Sequence, residues 1–247
     1  MITWLQGTVV EKKQWCPELF SLTFKTEPLA FKAGQFILIG LDIDGTVIYR
    51  PYSLVSTPDN DLLEIHFNTV KDGALSPLLG NLNSGDTLQV SNRPSGLLTI
   101  EDSPDAANLW LVATGTGIGP FIPILKMREP WQKFDKIVLC YAVKTAEGMA
   151  YRADFEALSA RYPDQFSFMP FVTREVAANT LNCRVTTYLE SGELEERTAL
   201  ALSAESCHVM LCGNASMIND MTILLENKGL RRHSRSKPGQ IAIEKYY

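Results

Sequence analysis

The sequence predicts two domains, an antiparallel β-sandwich or β-barrel over residues 1–100 and a parallel-sheet α/β domain over residues 101–247. Two observations support this division. The first hundred residues contain short runs of alternating apolar and polar side chains separated by turn-forming stretches, which is typical of half-buried strands. After the polar stretch 101–108 the runs become apolar throughout and helix-compatible segments follow them, as in parallel strands buried on both faces.

In the first domain the clearest strand is the one in which Leu63, Ile65 and Phe67 alternate with polar neighbours. Similar runs are separated by stretches rich in Asp, Asn, Gly and Pro, which favour turns. The strands predicted for this domain are 5–10, 22–26, 35–41, 47–54, 63–67 and 87–91. The second domain is predicted to contain strands 109–113, 137–143, 166–173 and 209–212 and helices near 152–162, 185–191 and 217–228.

Composition narrows the class of protein. The net charge of -5 argues against nucleic-acid binding, which usually needs a basic surface. The five cysteines are scattered without metal-ligand spacing, so we expect free thiols, no metal and a reducing, cytoplasmic location. No signal peptide or membrane span is expected, because no apolar run approaches about 20 residues. The basic block 228–237 is either a solvated loop or a surface for an acidic partner.

The segment Arg50-Pro51-Tyr52-Ser53-Leu54 lies at the end of a predicted strand. A guanidinium can neutralise a diphosphate, an aromatic ring can lie against a planar cofactor, and the neighbouring hydroxyl can hydrogen-bond a ring nitrogen. A strand edge with an ordinary surface arginine explains the same residues equally well. Both interpretations remain open on this segment alone.

Two further segments contain glycine beside a predicted helix. In Gly73–Leu79 a serine precedes a helix-starting proline, which suits either a phosphate site or, more simply, a plain helix start. Residues 114–120, Thr-Gly-Thr-Gly-Ile-Gly-Pro, follow an apolar strand with spacing G-x-G-x-G, which differs from the G-x-G-x-x-G dinucleotide fingerprint. This turn lets the backbone approach a cofactor closely, and a merely tight turn is the weaker explanation.

Together these segments resemble the ferredoxin/flavodoxin–NADP reductase family, particularly its bacterial branch. The resemblance covers the whole chain in order and rests on segments 50–54, 73–77, 114–120, 172–175, 211–214 and 243–247. It implies an N-terminal FAD-binding β-barrel and a C-terminal NADP-binding α/β domain whose tail returns to the flavin.

The resemblance also implies roles for individual residues toward FAD. Arg50 would meet the diphosphate, Tyr52 would stack on the isoalloxazine, and Ser53 would sit beside the reactive nitrogen. His66 stands where relatives often carry an aromatic residue near the cofactor, although on an alternating strand it is equally a polar, outward residue. The remaining residues expected to contact FAD are Pro51, Ala74, Leu75, Ser76, Thr116, Tyr246 and Tyr247.

Selection of NADP over NAD requires cations at the ribose 2′-phosphate. Lys144 ends strand 137–143, Arg174 follows strand 166–173 and Arg184 opens the next helical segment, where ligands bind in such sheets. Three independent surface cations are the weaker explanation. The family places arginines at the positions of Arg174 and Arg184, and this chain has Lys144 where relatives often have arginine. Lysine keeps the charge without the bidentate fork. Val143 and Thr173 adjoin these cations and complete the expected NADP set.

The end of the chain completes the expected catalytic group. In relatives the cysteine at the position of Cys212 lies against the nicotinamide, although a small buried hydrophobe is the plain alternative. A terminal aromatic residue, here Tyr247, covers the flavin in the family, and Glu244 is expected to relay protons. The catalytic residues predicted by resemblance are therefore Ser53, Cys212, Glu244 and Tyr247.

These expectations define an FAD-dependent enzyme that passes hydride from NADPH to FAD and single electrons, reversibly, to ferredoxin or flavodoxin. Such carriers are acidic, so Arg231–Lys237, with Lys12, Lys13 and Arg93, is the predicted landing surface of a monomeric reductase. The alternatives are a general NAD(P)H flavin reductase or diaphorase acting on free acceptors, and a non-catalytic flavoprotein subunit.

Overall fold

The computed structural model describes residues 2–246, with the side chain of Tyr246 excepted. The chain divides into two compact units, one comprising Met1–Thr99 with Gly119–Met127 and the other Ile100–Ile118 with Arg128–Tyr247. Among the described residues, no helix has both the length and the apolar character that crossing a bilayer requires.

The first unit is an antiparallel barrel of six strands in the order β4-β3-β6-β1-β2-β5. The strands are β1 Trp4–Cys16, β2 Leu19–Lys25, β3 Phe36–Ile43, β4 Thr46–Ser53, β5 Leu63–Asn68 and β6 Thr87–Ser91. A bridge between Leu54 and Ile65 joins the two outer strands, and the Val55 N–H donates to the Glu64 carbonyl at 2.8 Å. These bonds close the sheet on itself, which removes its free edges.

Inward-facing residues of every strand fill the barrel, and Phe24, Ile37, Ile39 and Ile65 are fully buried. Two short helices belong to this unit, α1 Ser76–Asn81 and α2 Phe121–Lys126. The sequence-based boundary assigns residues 119–127 to the second domain, whereas in the structure this segment groups with the first unit.

The second unit is a five-stranded parallel sheet in the order β11-β10-β7-β8-β9. Its strands are β7 Asn108–Thr114, β8 Lys136–Val143, β9 Phe166–Val172, β10 Cys207–Asn214 and β11 Ile241–Tyr246. Its helices are α3 Glu129–Lys133, α4 Arg152–Arg161, α5 Val185–Ser191, α6 Glu193–Thr198 and α7 Ala215–Asn227. The central strands β7, β8 and β10 are buried along almost their whole length, which explains their unalternating apolar sequence.

The predicted fold class, an antiparallel β domain followed by a parallel α/β domain, is confirmed. Several elements differ from the sequence prediction. The short helices α3 and α6 have no counterpart in it. Strand β1 has 13 residues rather than six, and register shifts interrupt its pairing with β2. The C-terminal segment, predicted as a tail, forms edge strand β11 from Ile241 onward, parallel to β10.

Candidate functional site

The β4 segment places three chemically different side chains next to one another. Register with β3 pairs Arg50 with Ile39, Tyr52 with Ile37 and Ser53 with Phe36. Alternation puts Arg50 and Tyr52 on one face of the strand. Arg50 is exposed and Tyr52 half-buried, while only 4% of Ser53 is accessible.

Tyr52 has a distinctive environment. Its ring packs edge-on to Phe67, with 6.0 Å between centroids. Burial raises the pKa of the Tyr52 phenol to about 12, against the smaller opposing effect of the Arg50 charge. The hydroxyl therefore stays protonated at neutral pH and remains a hydrogen-bond donor.

His66 occupies the face of β5 opposite the core residues Ile65 and Phe67, as the alternation predicts, but it is 5% exposed rather than solvated. Trp15 covers it, with ring centroids 6.2 Å apart. His66 therefore faces outward from the barrel, as the alternation predicts, but Trp15 shields it from solvent. Burial lowers the pKa of His66 to about 3, so the imidazole is neutral.

The segment before α1 has mainly structural contacts. Leu75 belongs to the barrel core and is 2% exposed. The Ser76 Oγ accepts a hydrogen bond from the Val70 N–H at 2.9 Å, which fixes the loop that follows β5. Ala74 and the neighbouring Asp72, whose φ is +62°, are exposed. The side chains of Leu75 and Ser76 are thus occupied within the protein.

In the second unit, two glycine turns at the carboxyl ends of β7 and β10 pack backbone against backbone. A Cβ on Gly117 would lie 2.6 Å from the Cys212 carbonyl carbon. Gly213 has φ +134°, and its turn is tied by a 2.8 Å hydrogen bond from the Asn214 N–H to the Thr114 Oγ1. Gly117 and Gly213 are required for this close approach, which gives the central glycine of the G-x-G-x-G pattern a packing role.

The residues beside these turns differ in accessibility. Thr116 is half-buried within the single 3₁₀ turn Gly115–Ile118. Cys212 is fully buried, paired across the sheet with Ala113 on β7 and with Glu244 on β11. Cys212 therefore has no exposed surface in this structure, and its contact with the nicotinamide stays a prediction. Glu244 is half-buried, whereas the Tyr246 side chain and Tyr247 lie outside the described residues.

The three cations predicted to select NADP lie at one edge of the parallel sheet. Lys144 follows β8, Arg174 follows β9, and the Arg174 N–H donates to the Lys144 carbonyl at 2.9 Å. The chain then returns beside β9, where Leu181 pairs with Phe171, and Arg184 takes the N-cap position of α5. All three side chains are exposed and, within residues 2–246, make no hydrogen bond or ion pair. This edge therefore presents three exposed cations at the place where ligands bind in such sheets.

Val143 and Thr173 support that edge. Val143 is buried at the end of β8, and its carbonyl accepts from both the N–H and the Oγ1 of Thr173, at 3.0 and 3.2 Å. These bonds extend the parallel ladder beyond the strand ends. Both residues thereby hold the backbone from which Lys144 and Arg174 project.

The basic block forms a hairpin between α7 and β11, closed by pairing of Ser234 with Lys237. Arg232 lies 3.2 Å from Glu226 and Arg235 lies 3.8 Å from Asp102. Arg231 and Lys237 are exposed and have no carboxylate partner in the described part of the chain. These two cations and His233 contribute to a shallow cavity of about 540 Å³.

Sequence reasoning missed several residues that shape these sites. In the barrel, the Trp15 Nε1–H donates to the Ser21 Oγ at 2.9 Å, and that oxygen lies 3.1 Å from the His66 Nδ1. In the second unit, Glu175 and Asn182 bond to the loops that carry the cations. Only the position of Glu175 beside Arg174 hinted at its role, since bonds between distant residues leave no periodic signal.

Comparison with known proteins identifies the class of both units. Residues 6–99 match the family model of the oxidoreductase FAD-binding domain, and residues 111–222 match that of the oxidoreductase NAD-binding domain. Together with the barrel and the parallel sheet, these matches define a two-domain flavin- and nicotinamide-dependent oxidoreductase.

The full-length relatives narrow the class to a family. The chain is 40% identical to the flavodoxin/ferredoxin–NADP reductase of Escherichia coli (strain K12), covering 100% of both chains. It is 33% identical to the ferredoxin–NADP reductase of Pseudomonas aeruginosa, covering 97% of this chain and 96% of that one. A crystal structure of a ferredoxin NADP⁺ reductase from Neisseria gonorrhoeae with bound FAD and NADP superposes with a TM-score of 0.93 at 31% identity, covering 99% of each chain. The chain belongs to the ferredoxin/flavodoxin–NADP reductase family.

Proposed function

We propose that this chain is a reductase that takes hydride from NADPH onto FAD and passes electrons singly to ferredoxin or flavodoxin. Bound FAD supplies the redox chemistry, since a flavin accepts a hydride and releases its electrons one at a time. The observation that carries the proposal is the β4 segment, where a guanidinium, an aromatic ring and a buried hydroxyl follow one another on a rigid strand.

The residues of the first unit fit FAD by the chemistry of their groups. The exposed Arg50 guanidinium offers paired donors to a diphosphate. Tyr52 offers a half-buried ring face for a planar ring system, and its neutral hydroxyl remains a donor. Ser53, on the opposite face of the strand, is held by pairing with Phe36 of β3. We assign its hydroxyl to the reactive nitrogen of the flavin.

The exposed edge of the second unit fits a nucleotide with a 2′-phosphate. Lys144, Arg174 and Arg184 bring three charges to the carboxyl ends of neighbouring strands. A phosphate oxygen bonded to an arginine makes a charge-assisted hydrogen bond, stronger than a neutral one. We therefore assign NADPH rather than NADH as the hydride donor.

The names of the relatives indicate ferredoxin or flavodoxin as the carrier, and we expect such a carrier to be acidic. The unpaired cations Arg231 and Lys237 provide complementary charge on the hairpin before β11. We expect the double charge reversal Arg231→Glu with Lys237→Glu to slow carrier reduction about tenfold at low salt while dye reduction stays unchanged. Unchanged carrier rates at low salt would remove this surface from the proposal.

The test of the function is anaerobic stopped-flow mixing of the FAD-loaded protein with NADPH and, separately, with NADH. Fast loss of flavin absorbance with NADPH and slow loss with NADH supports the proposal, after which reduction of ferredoxin and flavodoxin is measured. Equal rates with both nucleotides would favour a general diaphorase acting on free acceptors. If neither nucleotide reduced the flavin, the chain would be a non-catalytic flavoprotein.

A further inference from the structure

The loops that carry Lys144 and Arg174 are joined by a side chain that has no role in the function proposed above. The Glu175 Oε1 accepts a hydrogen bond from the Ala146 N–H at 2.7 Å. Ala146 begins the 3₁₀ turn Ala146–Gly148, and Thr145, which precedes this turn, makes no side-chain capping bond. Glu175 therefore caps the turn after β8 from the neighbouring loop after β9.

A second side chain closes the other end of the same loop. The Asn182 Nδ2 donates to the Val172 carbonyl at 3.1 Å and also to the Glu175 carbonyl. It thereby ties the start of the loop to the segment that leads into Arg184. Glu175 and Asn182 together join the three chain segments from which Lys144, Arg174 and Arg184 project.

The position of the Glu175 carboxylate beside a proposed phosphate site is not explained by its charge. Glu175 adds a negative charge beside three cations that the proposed function assigns to a phosphate, and simple electrostatics makes it unfavourable for that ligand. The exposed Glu175 carboxylate instead bonds to a backbone N–H, an interaction that fixes loop geometry. Holding the cations in position before binding reduces the ordering cost that binding must meet.

We propose that Glu175, supported by Asn182, is a positioning residue that sets the preference for NADPH over NADH by fixing the loops of Lys144 and Arg174. This inference rests on the proposed NADP site. It requires that loss of the hydrogen bond, rather than loss of the charge, weakens binding of a 2′-phosphate.

Two substitutions at Glu175 separate the two effects, and two more at other residues serve as references. Glu175→Ala removes both the charge and the acceptor, whereas Glu175→Gln removes the charge and keeps an acceptor oxygen. Glu147→Ala is the matched control, because this exposed carboxylate lies in the same 3₁₀ turn and makes no bond among the described residues. Arg174→Ala serves as the reference for the phosphate site itself.

The experiment measures binding of adenosine 2′,5′-bisphosphate and of AMP to the FAD-loaded enzyme by calorimetry, with kcat and KM for NADPH and NADH. We expect Glu175→Ala to weaken the bisphosphate and raise KM for NADPH about 3–10-fold, the effect of one lost hydrogen bond. AMP binding, KM for NADH and kcat should stay within about twofold. Glu175→Gln and Glu147→Ala should stay within about twofold throughout.

Tighter bisphosphate binding by both Glu175 variants would mean that the carboxylate acts only through its charge, and would overturn the inference. Equal weakening of AMP and bisphosphate would show a general structural role and overturn it as well. Arg174→Ala tests the underlying site separately, with an expected rise of about 10–100-fold in KM for NADPH alone. If that variant kept its preference for NADPH, the proposed NADP site would fail whatever Glu175 does.

Discussion

The two units hold their candidate residues in different ways. In the barrel, Arg50, Tyr52 and Ser53 lie within strand β4, where paired backbone bonds to β3 fix their order and facing. In the parallel sheet, Lys144, Arg174 and Arg184 lie just beyond the strands, in loops tied by side-chain and backbone hydrogen bonds. On β4, Tyr52 is half-buried and Ser53 buried, whereas Arg50 and all three cations are exposed.

This difference matches the two ligands that we propose. A cofactor that stays bound through many turnovers is served by residues on a rigid ladder, since their geometry needs no further ordering. A nucleotide that must enter and leave in every cycle is served by exposed loops. The second unit therefore needs other means of fixing its loops. Glycine packing joins the turns after β7 and β10, and the Glu175 bond joins the loops after β8 and β9.

The largest expected effect comes from a substitution that disturbs the backbone packing between the turns after β7 and β10. In Gly117→Ala the new Cβ would lie 2.6 Å from the carbonyl carbon of Cys212 and 2.7 Å from the Gly213 Cα. Backbone cannot yield as a flexible side chain does, so we expect a loss of about 2–4 kcal/mol in the free energy of unfolding. Urea denaturation followed by circular dichroism measures it.

Gly148→Ala is the matched control for that substitution. Gly148, like Gly117, lies in a 3₁₀ turn and has no positive φ. A Cβ added to Gly148 would have its nearest neighbour 3.9 Å away. Its unfolding free energy should change by less than about 0.5 kcal/mol. Equal effects of the two variants would show that turn entropy, rather than the contact between the β7 and β10 turns, accounts for the loss.

The fold was predictable because both domains carry strong periodic signals. Alternation identified strands such as β5, and unalternating apolar runs identified β7, β8 and β10. Edge strand β11 was not predicted as a strand. Its sequence is short and ends in charged and aromatic residues, so it shows neither clear alternation nor a long apolar run. Its assignment depends on pairing with β10, a contact over about thirty residues of chain that local patterns do not report.

The candidate sites were predictable in part, by resemblance to the family rather than by pattern. Position at strand ends indicated Lys144 and Arg174 correctly as edge residues. The burial of Cys212 and the cover of His66 by Trp15 depend on tertiary packing, so they were not visible in the sequence. The roles assigned to Ser53, Glu244 and the terminal tyrosines stay predictions.

A smaller effect is expected on the pH dependence of the unfolding free energy, to which one buried histidine in each unit contributes. Burial lowers the pKa of His66 in the barrel to about 3, and burial, followed by the charges of His233 and Lys133, lowers that of His208 in the parallel sheet to about 3. Both are neutral when folded and protonate near pH 6.5 when unfolded. Each therefore stabilises the fold above pH 6.5, and that contribution is lost as the pH falls from 6.5 toward 3.

Between pH 6.5 and pH 5 the unfolding free energy of the wild type should fall, in part because each histidine protonates in the unfolded state. In His66→Asn and in His208→Gln we expect that fall to be smaller by about 1.5 kcal/mol. Denaturant titrations at several pH values measure this, and comparing pH slopes cancels any constant loss from the substitution itself. If the units unfold together, both variants flatten the pH dependence of one transition by equal amounts. If they unfold separately, His66 affects only the transition of the barrel and His208 only that of the parallel sheet. If a variant kept the pH dependence of the wild type, the histidine that it replaces would bind its proton equally well in the folded and unfolded states. Such a group leaves the unfolding free energy independent of pH.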